Sequence, residues 1–300
     1  MAADRVDRRK GAIYGDEILE ISALPTIRRR HYGRVVGVAL IVVAVAFIAK
    51  AFSEGQIEWK VVGQFFTAPA ILFGLLNTIW MTLCAMTLGI VLGVIFAIMY
   101  MSPNPVISRC AIAYIWFFRG TPLLLQLLLW FNLALVFPTI SIPGLFEARM
   151  VDVMTPFVAT LLGLGLNQGA YTAEVVRGGI LSVDTGQVEA SKSIGMTPLA
   201  TLFHIVLPQA MRVIVPPVGN EVISMVKLTS IASVIGYSEV LRNSQDVYYA
   251  NGRVIELLIV TACWYLAVVT VLQIGQHFLE RYFSKGYSRR NGVPAPAASA

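Results

Sequence analysis

Residues 61–108 contain not one Asp, Glu, Lys or Arg. The segments 120–146, 153–173 and 257–279 are free of these charges as well. A helix needs about 20 apolar residues to cross a bilayer's hydrocarbon core, and each run is long enough. The whole chain is 57% hydrophobic and 13% charged, with mean hydropathy +0.72. That balance points to a polytopic membrane protein and away from two soluble domains. The alternation expected of outer-membrane barrel strands is absent. Lipid offers no partner to open backbone groups, so the spans are helices and the fold class is all-α.

Six spans are expected, near 35–52, 71–101, 111–136, 156–176, 213–235 and 256–279. The first is short, with Arg34 and Lys50 at its ends, where they can snorkel. Pro103-Asn104-Pro105 reads as a turn. Pro138 and Pro143-Gly144 break the chain after the third span. The largest polar interruption is 177–212. The tail after Arg290 is rich in Pro, Ala and Ser and reads as disordered.

The first 34 residues carry charges of both signs, including the run Arg28-Arg29-Arg30, and the first apolar stretch starts only at Val35. This is not the layout of a secretory signal. The arginines read as a topology signal, not as a nucleic-acid patch. With the N-terminus placed in the cytoplasm, sixteen Lys and Arg fall on inner segments and five on outer ones. The excess of inner positive charge fixes both termini inside. It also puts 177–212 in the cytoplasm.

That loop contains Glu189-Ala190-Ser191, then Gly195, then Ile205-Val206-Leu207-Pro208. The order and spacing resemble the Glu-Ala-Ala loop of the membrane subunits of ABC importers. Its residues also make physical sense as a docking hairpin. Ala190 and Ser191 are small enough for close backbone approach. Gly195 allows a turn that a Cβ would resist. Pro198 suits the first turn of a second short helix. Pro208 is expected to interrupt the approach to the next span. Leu199, Leu202, Phe203 and Val206 recur at helical spacing and could bury one face.

Three further stretches resemble the polar amino-acid branch of these permeases, the histidine/glutamine/arginine type. They are Trp116-Phe-Phe-Arg119-Gly120-Thr121-Pro122, Gly169-Ala-Tyr171-Thr-Ala-Glu174 followed by Arg177-Gly-Gly-Ile180, and Lys227-Leu228-Thr229-Ser230. The likeness runs from about 70 to 283. It implies a five-helix permease core, here within 61–283, with a coupling loop at 177–212. An extra N-terminal helix with its outer loop (35–60), a basic tail (1–34) and a cytoplasmic tail (284–300) lie outside it. The resemblance further implies a second permease subunit, ABC ATPase subunits that hold ATP and Mg, and an extracytoplasmic amino-acid-binding protein, in a bacterial inner membrane. Glu189, Ala190, Ser191, Gly195, Ile205, Leu207 and Pro208 would contact the ATPase. The family often has an acidic residue after the lysine; this chain has Leu228.

Polar groups inside spans need a reason, because lipid makes them costly. Arg119 would sit near half depth of the third span. Asn220, Ser224 and Lys227 fall at i, i+4 and i+7, on one face of the fifth. Pro216-Pro217 precede them and are expected to kink that helix. Thr121, Asn167, Gln168, Glu174, Thr229 and Ser230 complete the candidates. They form either a polar seam along a translocation path, or buried pairs such as Arg119 with Glu174 and Lys227 with Glu221.

No G-x-x-x-x-G-K-[ST] occurs, so the chain has no P-loop for nucleotide phosphates. Cys84, Cys110 and Cys263 are far apart and read as buried thiols, and no metal site is expected. The reading is therefore a permease subunit without enzymatic activity of its own. An ion-gradient-driven secondary transporter is the alternative, but the matched broken helices of such repeats are not seen.

Overall fold

The computed structural model describes residues 32–55, 57–142 and 146–283. The expectations for the basic tail through residue 31, for Pro143-Gly144 and for 284–300 lie outside them. The chain divides into two compact units, Met1–Ile57 and Glu58–Ala300. The described part of the first is one helix, α1 (Tyr32–Glu54), with no buried residue.

The second unit holds α2 (Trp59–Phe66), α3 (Pro69–Tyr100), α4 (Pro105–Gly120) and α5 (Leu123–Phe131). A small antiparallel hairpin follows, β1 (Thr139–Ile142) with β2 (Phe146–Arg149), pairing Thr139 with Arg149. Then come α6 (Met150–Val153), α7 (Pro156–Leu181), α8 (Thr185–Ser193) and α9 (Pro198–Thr201). The chain ends with α10 (Leu207–Leu228), a 3-10 segment (Thr229–Ile235), α11 (Val240–Asn251) and α12 (Val254–Phe283).

Four described helical runs are long and apolar enough to span a membrane: α1, α3, the stretch Pro198–Ile235, and α12. The pair α4 and α5 adds a fifth if counted as one broken span. The expected continuous helix over 111–136 does not form: the axis turns by 101° between α4 and α5. The cause is local. Thr121 is extended (φ −109°, ψ 143°), as a residue before proline tends to be, and Pro122 has no N–H with which to continue the ladder.

The expected span at 156–176 is helical as α7, yet it falls outside that apolar set. Its place in the bundle explains this. Twelve of its residues are buried, against none in α1, so it faces protein and not lipid. It packs along α3 through small residues. A Cβ on Gly89 would lie 2.6 Å from the Gln168 side chain, and one on Gly93 would lie 2.6 Å from Thr172. From the other side, a Cβ on Gly165 would lie 2.6 Å from Leu88. Interlocked glycines are how membrane helices gain close dispersion contact without a hydrophobic driving force between them. The cysteines are less enclosed than expected: Cys84 is half-buried, while Cys110 and Cys263 are exposed.

At one end of the bundle, α11 is pinned to α3 and α12. Asn77 Nδ2 donates to the Ser238 carbonyl at 2.8 Å, and Asn243 Nδ2 to that of Ala70 at 2.8 Å. Glu239 caps α11 and is fully buried. It accepts from Leu241 N (2.8 Å), Arg242 N (2.6 Å) and the Tyr265 hydroxyl (2.7 Å). Burial outweighs these three donors and pushes its carboxyl up to about 6.

Candidate functional site: a docking hairpin joined to a polar stripe

The hairpin begins at Asp184, which caps α8 by accepting from Gly186 N at 2.8 Å. It turns at Gly195, where φ is +81°. There Gly195 N donates to Lys192 O (3.0 Å) and Met196 N to Ser191 O (3.1 Å), closing the end of α8. An L-residue with a branched side chain is strained at this φ, although nothing lies within 4 Å of where its Cβ would stand. Thr197 caps α9 by accepting from Ala200 N, and Pro198 sits in its first turn. The two arms are fastened by Ser191 and Thr201, whose buried hydroxyls lie 2.9 Å apart.

Beyond that fastening, the hairpin turns apolar surface outward. Ile194 is 78% exposed, Leu199 65% and Phe203 56%. The face expected to be buried over Leu199, Leu202, Phe203 and Val206 is therefore mostly bare; only Val206 is buried. Glu189 and Ala190 are exposed, and the Glu189 side chain has no hydrogen bond or ion pair among the described residues.

Pro208 does not interrupt the chain. The segment Leu202–Val206 is a π-helical turn that joins α9 directly to α10. The wider turn shifts the ladder by one residue, with Leu207 N bonding back to Leu202 O. It absorbs the missing proline donor. Ile205 and Leu207 are half-buried in this stretch. Pro216 and Pro217 lie inside α10, which runs through them unbroken. The Pro216 carbonyl accepts from Gln276 Nε2 on α12 at 2.9 Å.

Farther along the same helix, Asn220, Ser224 and Lys227 form one exposed stripe. Ser224 donates to Asn220 O at 3.1 Å, and Asn220 Nδ2 reaches Glu280 Oε1 at 3.2 Å. The Lys227 ammonium has no hydrogen bond or ion pair among the described residues. It does not pair with Glu221, which points to α7 instead. There Glu221 Oε2 accepts from Gln168 Nε2 (2.7 Å) and Thr172 Oγ1 (2.9 Å). The reason is rotation: Glu221 is next to Asn220 in sequence and so sits about 100° around the helix from the stripe. Thr229 is buried and bonds Val226 O, while Ser230 bonds Lys227 O. Neither joins the stripe's exposed face with a free hydroxyl.

The remaining candidates gather at the break between α4 and α5. Arg119 lies in the last turn of α4 and is not in the middle of a continuous span. Its guanidinium lies over the Tyr171 ring, 5.0 Å from the centroid. Glu174 pairs with Arg177 at 2.6 Å and not with Arg119. The spacing decides this, because Arg177 lies one turn along the same helix. Thr121 Oγ1 bonds Phe117 O at 2.8 Å. Asn167 Nδ2 donates to Phe118 O at 2.7 Å, and Gln126 Nε2 to the carbonyls of Phe118 (3.0 Å) and Thr121 (3.1 Å).

Gln126 and Thr172 were not among the expected residues. Gln126 has a signal in the sequence as the lone polar residue in Leu123–Phe131, a position that lipid depth makes costly without a partner. Thr172 gives no such signal, since its role needs the contact between α7 and α10.

Residues 89–285 match the family model described as "Binding-protein-dependent transport system inner membrane component". The arginine transport system permease protein ArgU of Corynebacterium glutamicum is 43% identical over 263 residues, covering 87% of this chain and 83% of that one. The glutamine transport system permease protein GlnP of Escherichia coli (strain K12) is 30% identical over 226 residues, covering 75% and 97%. Among solved structures, a crystal structure of an amino acid ABC transporter with histidines superposes with TM-score 0.66 at 33% identity, covering 76% of this chain and 100% of that chain. The chain belongs to the inner membrane components of binding-protein-dependent transport systems, and among them to the permeases of amino-acid ABC importers.

Proposed function

We propose that this permease forms half of a translocation path for polar amino acids and is driven by a separate ATPase docked on the hairpin 189–208. One observation carries the reading: a single helical run leads from the hairpin's bare apolar face, through the π turn, to the Asn220–Ser224–Lys227 stripe. A push on the hairpin is thereby a push on the stripe. The stripe is polar and exposed in one chain, which in a membrane calls for a water-filled path or a second permease subunit opposite it. Lys227 supplies a positive charge for a substrate carboxylate. Arg119 supplies another at the end of α4.

Membership of the binding-protein-dependent family supports the partners in this reading. ABC ATPase subunits hold ATP and Mg, a second permease completes the path, and a binding protein delivers substrate from outside. The site is a bacterial inner membrane with both chain ends in the cytoplasm. The segment before residue 61 is an addition to the permease core. Arginine is the first substrate to test, given the relative named for it.

The test is uptake into proteoliposomes that hold the assembled transporter. Uptake of labelled arginine or glutamine should require ATP on the hairpin side and binding protein on the other. It should persist when ionophores collapse every ion gradient. Uptake that follows an ion gradient without ATP would remove the reading.

A further inference from the structure

Two apolar cavities, of about 560 and 500 Å³, meet at Ile90 and Val222. Together they make one slot along α3 from Ile79 to Ile98, with α10 as the facing wall and α12 along its side. At 1.5 Å per residue that stretch of α3 is about 28 Å long, close to the hydrocarbon thickness of a bilayer. The slot has no polar partner to offer. Its three threonines spend their hydroxyls internally: Thr82 on Thr78 O (2.8 Å), Thr87 on Leu83 O (2.7 Å) and Thr172 on Glu221 (2.9 Å). An apolar, bilayer-long slot suits hydrocarbon and not water or an amino acid.

Its end beside the hairpin is marked by charge. Arg212, Val215 and Gly219 follow one stripe of α10 at i, i+3 and i+7, and Val215 and Gly219 both line the cavity. Arg212 is exposed and takes part in no hydrogen bond or ion pair among the described residues. The Glu280 carboxylate on α12 is held by Asn220 and Gln276. From Arg212 to Val222 is about 15 Å along the helix, the depth of one leaflet.

We propose that the slot holds an anionic phospholipid, with an acyl chain against Ile90 and Val222 and the headgroup phosphate on Arg212. Val218, Val222 and Val226 lie on the opposite face of α10 from Asn220, Ser224 and Lys227. Lipid and substrate therefore do not compete for space, and the lipid fills the gap between α3 and α10. Lipid binding here does not depend on the transport reading.

The test uses the intact assembly in phosphatidylcholine nanodiscs that contain a trace of acyl-photoactivatable phosphatidylglycerol or phosphatidylcholine. Labelled residues are mapped by mass spectrometry. Phosphatidylglycerol should label α3 near Ile90 and α10 near Val222 about fivefold more than phosphatidylcholine, the preference one interfacial arginine can supply. Arg212→Gln, a surface change that leaves folding intact, should abolish the preference, and Val222→Trp should abolish the labelling. Equal labelling by the two lipids, or a preference that survives Arg212→Gln, overturns the proposal. So does an absence of label together with a disulfide between two Val222→Cys copies, which would show that protein covers the slot.

Discussion

Asn167 Nδ2 lies 2.7 Å from the carbonyl oxygen of Phe118, in the last turn of the helix that breaks at Thr121-Pro122. A helix ending inside a bilayer leaves carbonyls that water cannot reach. Asn167 and Gln126 supply the missing donors. Both belong to the break before they belong to any substrate.

Asn167→Leu should accordingly destabilise the protein by about 0.5–1.5 kcal/mol, the net worth of one hydrogen bond, because Gln126 still donates to the Phe118 carbonyl. Gln126→Leu should do the same or more, since its amide serves two carbonyls. Heat-induced aggregation of the purified protein reads this out. Surviving Asn167→Leu molecules should keep their ranking of amino-acid substrates. A changed ranking at unchanged stability would put Asn167 on the path after all.

Lys227→Met should leave folding and assembly unchanged, because the lysine has no partner among the described residues to strand. Loss of a charged hydrogen bond to a carboxylate is worth about 1.5–3 kcal/mol, so uptake at low substrate should fall at least about tenfold. Glu221→Leu should do the reverse and lower stability, since it strands Gln168 and Thr172 in the bundle. Normal uptake by a well-folded Lys227→Met protein would remove the lysine from the path.

Glu239 predicts a pH dependence. Its folded value is about 6 against 4.5 for the unshifted group. The fold therefore favours the protonated form, so the contribution is fully present below about pH 4.5 and is lost as pH rises through about 6. The loss is on the order of 2 kcal/mol at 1.36 kcal/mol per pKa unit. Aggregation midpoints measured from pH 4.5 to 7 should show this step in the parent protein and not in Glu239→Gln. A step of the same size in both proteins would assign it to another group.

How much of this was legible depends on whether the cause was local. Gly195, Pro198 and the Asn220–Ser224–Lys227 stripe follow from backbone chemistry and helical spacing within a few residues. The glycine turn and the exposed stripe are both found. The break after Arg119 was not legible, because Leu123–Phe131 continues the apolar run and hydropathy does not register a 101° change of direction. Pro208 misled for the opposite reason: a proline usually ends a helix, but the π turn before it absorbs the lost bond. The partners of Glu221 and Glu174 were decided by helix rotation and by which helices meet. A pairing guess from charge alone contains neither.

The hairpin is the proposed point where ATP hydrolysis meets the permease. Gly195→Val places a β-branched residue at φ +81°, at a cost on the order of 1–2 kcal/mol or more, without filling any occupied space. Glu189→Ala is the milder companion, since an exposed pair is worth about 1 kcal/mol or less. The decisive measurement is ATPase activity of the assembled transporter with and without loaded binding protein, beside the amount of ATPase subunit retained on purification. Gly195→Val should insert normally yet lose most of the retained ATPase or most of the substrate-stimulated hydrolysis, with Glu189→Ala in between. Full retention and full stimulation in Gly195→Val would contradict the coupling role of 189–208.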